Sequence, residues 1–147
     1  MMNNKGLTVI ELLVTITVIA IISAIAVPSF NKWLKRYQIE SDTKTIYGFI
    51  QEARSRAFSQ KMDLTVYVAG TTTSLKDTSG TVLAFINTKT SYKNSTITVS
   101  KRGVISSGGS VLPSAVSGLK PQYNCIVVSD LRARLGYSNN GSACDAK

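Results

Sequence analysis

The stretch Gly6-Leu7-Thr8-Val9-Ile10-Glu11-Leu12-Leu13-Val14-Thr15-Ile16-Thr17-Val18-Ile19-Ala20-Ile21-Ile22-Ser23-Ala24-Ile25-Ala26-Val27-Pro28 decides how the chain is read. From Leu7 to Val27 its only charge is Glu11. As a helix rising about 1.5 Å per residue, it spans roughly 30 Å, one hydrocarbon core. Three readings compete. A secretory signal has a basic start, a shorter apolar run and a small-residue cleavage site; Lys5 and Ser23-Ala24-Ile25-Ala26 imitate parts of that pattern. A plain membrane anchor is the second. Neither accounts for Glu11, because a carboxylate in an apolar segment costs a few kcal/mol on insertion scales and is read as functional.

Outward from this stretch, the chain has 147 residues, which is one domain by length. Its 17% charged and 44% hydrophobic residues exclude a disordered chain. The net charge of +9 favours polyanions or acidic protein surfaces, or simply a well-solvated surface. There is no histidine, no Gly-rich phosphate loop and no metal-ligand cluster. An enzyme is therefore not expected, and neither is a cofactor or a small-molecule substrate. The cysteines are Cys125 and Cys144. They pair if the domain lies outside the cytoplasm and are two free thiols otherwise.

Past Pro28, which is expected to kink a helix, the helical pattern resumes. Ile39, Thr43, Ile46, Ile50, Ala53 and Ala57 recur at three- and four-residue steps. Lys32, Lys35, Arg36, Glu40, Asp42, Lys44 and Arg54 mostly occupy the other faces. One helix is expected from about Leu7 to Gln60, with Trp33 and Tyr37 either at a membrane interface or packed on the head. From Asp63 the period falls to two. Strands are expected at Leu64–Val68, Val82–Ile86 and Thr96–Val99, with a turn at Lys76–Gly80. A short strand follows Gly103, and then a long loop over Ser106–Gln122, either unbroken or interrupted by a short strand. The chain closes with a hairpin of Asn124–Ser129 and Leu131–Leu135. Helix first, then antiparallel strands, gives an α+β fold: a long N-terminal helix packed on a C-terminal antiparallel sheet or sandwich head.

The segment Lys5-Gly6-Leu7-Thr8-Val9-Ile10-Glu11-Leu12-Leu13 closely resembles the class III signal of type IV prepilins and type II secretion pseudopilins. The resemblance implies cleavage after Gly6 by a membrane-embedded prepilin peptidase, and methylation of the new N-terminus at Leu7, where the family usually has Phe. Glu11 matches the family's glutamate and Pro28 its proline. In a filament the apolar helices bundle, and Glu11 pairs with a neighbour's methylated amine, which favours correct axial register. The implied organisation is a leader at 1–6, a transmembrane or filament-core helix at 7–30 and a pilin head at 31–147, with helix to about 60 and a β domain at 63–147. The implied partners are other pilin subunits, the prepilin peptidase and the inner membrane, with the head in the periplasm.

Gln51-Glu52-Ala53-Arg54-Ser55-Arg56-Ala57 resembles the helix end of the GspH/FimT class of minor pilins and pseudopilins. Ile126-Val127-Val128-Ser129-Asp130-Leu131-Arg132-Ala133-Arg134 resembles the C-terminal strand of that class, with Leu131 where the class usually has glycine. The class implies a low-abundance subunit that initiates or primes a pilus or secretion pseudopilus. Some members bind DNA during natural transformation, and Arg132 and Arg134 match the arginines concerned. Residues i and i+2 of a strand share a face, so these two guanidiniums are expected to engage phosphates together. Lys101, Arg102 and Lys120 would enlarge the patch if near. The tail from Gly136 to Gly141 would form a flexible clamp, tethered by a Cys125–Cys144 bridge, in which Tyr137 stacks on a base. The alternative makes Arg132 and Arg134 ordinary exposed strand residues, with Leu131, Ala133 and Leu135 facing the core.

Overall fold

The computed structural model describes residues 8–115 and 118–146. A helix, α1, runs over Val9–Gln60. Among the described residues seven strands follow: β1 (Leu64–Asp77), β2 (Val82–Val99), β3 (Ile105–Ser107), β4 (Gly109–Val111), β5 (Cys125–Val128), β6 (Ala133–Tyr137) and β7 (Asp145–Ala146). They form a three-stranded sheet ordered β1-β2-β3 and a four-stranded sheet ordered β4-β5-β6-β7. Every pairing is antiparallel. The α+β expectation is met.

The chain divides into two compact units, one up to Leu34 and one from Lys35 onward. In the first, Thr8 opens the helix: its hydroxyl accepts from the Glu11 amide at 3.3 Å, satisfying one of the free N–H groups of the first turn. Glu11 itself stands where a negative charge complements the helix dipole. The Thr15 and Thr17 hydroxyls donate back to the Leu12 and Val14 carbonyls at 2.7 and 2.8 Å. Such bonds let a hydroxyl sit in an apolar segment without a free donor. Pro28 lies inside the helix, which continues past it.

The second unit has the core. Ile46, Phe49, Ile50, Ala53 and Ala57 of α1 pack with Leu64, Val66, Val68, Leu75, Tyr92, Ile97 and Val99 of the first sheet. Val111, Ile126, Val128 and Ala133 supply the second sheet's share. Above this stripe Asp42 is buried: its carboxylate accepts from the Lys89 and Thr90 amides at 3.1 and 2.7 Å and from Gln38 at 2.9 Å. Beside it the Tyr92 hydroxyl bonds Thr43 at 2.9 Å. Burial pushes the Tyr92 phenol up to about 12; the nearby Asp42 charge adds to this, while the Thr43 bond opposes it.

Two expectations need correction. Val82–Ile86 and Thr96–Val99 are the two ends of one strand, β2, and β1 extends to Asp77 to pair with it. The polar stretch between those ends lacks alternation. It becomes a strand because Asp42 holds it against the helix and β1 pairs with it through register shifts around Gly70. The turn that follows β1 closes on Asp77, whose carboxylate accepts from the Ser79 hydroxyl and from the Ser79 and Thr81 amides. Led by the Ser79 side-chain bond, these contacts hold that carboxyl below the usual aspartate value.

Candidate functional site

Two regions carry the candidate residues, and they are built differently. The first is the start of α1. Gly6 and Leu7, the cleavage and methylation positions, lie outside the described residues. Glu11 is exposed in the first helical turn. Apolar side chains from Val9 through Leu34 are exposed all round the helix. Phe30 stacks on Trp33 with ring centroids 5.7 Å apart. Among the described residues, α1 alone is long and apolar enough to cross a membrane, with a mean hydropathy of 2.6 over its most apolar window.

The second region is the end of the head around the C-terminus of α1. Ser129 and Arg132 exchange backbone bonds, Ser129 N–H to Arg132 O at 2.9 Å and Arg132 N–H to Ser129 O at 3.2 Å. This closes a two-residue loop of Asp130 and Leu131 between β5 and β6. Leu131 keeps a negative φ, so leucine fits where the related class has glycine. It does not face the core: it is 78% exposed at the loop apex. Arg132 precedes β6 and only Arg134 lies in the strand. The expected shared face nonetheless holds. Ala133 between them is buried, and both arginines line one open groove with Ser129, Asp130 and Leu131. Leu135 packs partly buried against the core.

Lys101 and Arg102 occupy a neighbouring turn. Ser100 N–H donates to Val104 O and Gly103 N–H to Ser100 O, each at 2.8 Å, and the Lys101 amide donates to Asp63 at 2.7 Å. Gly103 adopts φ +75°, which favours glycine, and lies against Arg54 O and Phe58. The Ile105 amide donates to Asp130 O at 3.1 Å, which places the two turns side by side. Both lysine and arginine side chains of this turn are exposed. Lys120 is not brought in. Its segment docks on the helix through the Gln122 amide, which donates to Glu40 at 2.6 Å. Glu40 stands about 20 Å along the helix from Arg54 at 1.5 Å per residue.

The tail is tied to the head at several points. Cys125 and Cys144 are disulfide-bonded. Asn124 bonds Ser138 in both directions, at 2.8 and 2.6 Å. The Lys93 ammonium donates to Gly141 O at 2.6 Å. Tyr137 ends β6 and alternates onto the face of Ala133 and Leu135, away from Arg134.

Comparison with known proteins now bears on the first region. The family described as the prokaryotic N-terminal methylation motif matches residues 1–27. That match falls on the segment expected to be a class III prepilin signal. A protein described as type IV major pilin protein PilA, from Myxococcus xanthus (strain DK1622), is 38% identical over 59 residues. That match covers 40% of this chain and 26% of the relative, so the chain spans about a quarter of the length of the relative it matches. No solved structure matches the chain significantly.

The residue that sequence reasoning passed over is Arg54. It stood in a motif quoted only for resemblance. Its Nε donates to Gly103 O at 3.0 Å, its Nη2 to Leu131 O at 3.1 Å and its Nη1 to Gln51 Oε1 at 3.2 Å. An arginine among exposed polar positions carries no such signal in one dimension. Its neighbour Arg56 pairs with Glu52 at 2.6 Å, an ordinary surface pair on one helix face.

Proposed function

We propose that this chain is a non-enzymatic filament subunit: a minor pilin or pseudopilin of the GspH/FimT class, serving a type IV pilus or a type II secretion filament. In this reading it is anchored in the inner membrane with its head in the periplasm, cut after Gly6, methylated at Leu7 and then passed into the filament with other pilins. The observation that carries it is the exposure of the apolar side chains from Val9 to Leu34, while the head fills a core of its own. Such a surface needs lipid first and other apolar helices afterwards. The test is the intact mass of the chain recovered from membranes that contain a prepilin peptidase. Loss of residues 1–6 and gain of one methyl group is expected, with a Gly6→Val variant left uncut. An uncut parent refutes the reading.

A second function is compatible with the first: DNA binding for uptake during transformation. It is favoured by Arg132 and Arg134 lining one groove, beside the turn of Lys101 and Arg102. Full-length chain in non-ionic detergent would be titrated with duplex DNA at several salt concentrations, beside Arg132→Ala/Arg134→Ala. If the arginines neutralise phosphates, affinity falls steeply with salt in the parent, and the variant's slope is shallower by about one for each phosphate left unpaired. Equal binding by both chains removes the arginines from any such role.

A further inference from the structure

The two basic turns belong to different sheets. Ser100–Val104 joins β2 to β3 in the first, and Ser129–Arg132 joins β5 to β6 in the second. Arg54, one helical turn and a half from the end of α1, touches both through one planar guanidinium. Three of its donors are committed to protein acceptors, Gly103 O, Leu131 O and Gln51. It is half-buried, whereas Lys101, Arg102, Arg132 and Arg134 are exposed. Arg54 is thus poorly placed to hold a phosphate and well placed to hold the two segments that carry the exposed cations. A guanidinium suits this task because its donors diverge in a fixed plane. An ammonium is a single point charge on a flexible stem and does not fix the angle between two carbonyls.

We infer that Arg54 is a positioning residue that joins the Lys101–Arg102 turn and the Arg132–Arg134 segment into one site for the phosphate backbone of a nucleic acid. This rests on the DNA-binding reading above. Lys101 is set from behind by Asp63 on its amide, and Arg102 sits next to Gly103, whose carbonyl Arg54 holds. Arg132 follows Leu131, whose carbonyl the same guanidinium holds. The four cations therefore share one reference point. Asp130 lines the same groove as Arg132 and Arg134, so its carboxylate offsets part of their charge there.

The test uses full-length chain in non-ionic detergent and the duplex titration over salt. Arg54→Lys keeps the net charge, so a lower slope in that variant cannot come from a missing cation. The expected result is an affinity about tenfold or more below the parent, with the slope reduced by about two as one turn drops out of register. A variant with a lower melting temperature but the parent's affinity and slope shows a merely structural Arg54 and overturns the inference. Lys101→Gln/Arg102→Gln, on an exposed turn, keeps the question decidable if Arg54→Lys does not fold. Its slope falls by about two if the turns act as one site, and an unchanged slope overturns the joint site. A parent that does not bind DNA refutes the underlying reading, a different result from either of these.

Discussion

Between Val9 and Leu34, α1 exposes isoleucine, valine and leucine on every side. Between Asp42 and Ala57 the same helix buries one stripe and exposes the rest. The first half is the more hydrophobic, yet it makes no core; the second has fewer apolar residues and makes the whole helical share of one. Burial follows periodicity rather than hydrophobicity alone. A stripe at three- and four-residue steps can be covered by two sheets, whereas a helix apolar all round needs apolar surroundings all round. The head can therefore reach a folded state on its own contacts, whereas the described part of the N-terminal half buries none of its apolar side chains.

That contrast can be broken at several points. The largest effect is expected from Glu11→Ala: filament yield in a shearing assay falls to background, while membrane insertion is unchanged or improved. Normal filaments from this variant would dissociate the glutamate from assembly. Next is a pair of matched truncations. Ile50→Ala, in the buried stripe, should cost the head about 2–5 kcal/mol by denaturant unfolding, whereas Ile19→Ala, in the exposed half, should change head stability by less than about 0.5 kcal/mol. Similar losses from both would mean that the two halves are energetically one unit. Removing the bridge with Cys125→Ser/Cys144→Ser, which opens a loop of 19 residues in sequence, should cost about 3 kcal/mol. Unfolding midpoints under oxidising conditions measure it, and reductant should lower the parent to the variant's value.

The smallest expected effect is alkaline. Tyr92 has a folded pKa of about 12, above the usual tyrosine value of 10. Above pH 10 the unfolded chain loses this proton first, so the folded state binds more protons and its stability falls as pH rises. The contribution is complete below about pH 10 and lost through pH 12. Tyr92→Phe should flatten that part of the stability profile relative to the parent. An identical slope in both chains would show that the phenol does not set it.

Much of this was legible in one dimension. The apolar helix, the stripe from Thr43 to Ala57 and the closing hairpin all rest on local spacing, and the structure has them. The disulfide rests on two cysteines and a compartment, and it forms. Residues 87–95 were not legible, because Asn, Thr, Lys and Ser in series carry neither alternation nor β-branched density. The alternative that turned Leu131 toward the core fails for the opposite reason. Alternation assigned it inward with Ala133 and Leu135, but the loop begins there, and at a hairpin apex the pleat no longer governs direction.

The sequence by itself determined which segment is apolar on every face, where its lone carboxylate sits, and that a helix with a periodic stripe precedes paired strands, since each of these is a statement about neighbours within a few residues. Only the tertiary structure decided that Asp42 recruits the middle of β2, that Lys120 stands apart from the arginines, and that Arg54 gathers two turns of different sheets. Those outcomes depend on hydrogen bonds between groups separated by 47 to 82 residues of chain. Such groups meet only after the helix and both sheets have packed, so no local pattern records them.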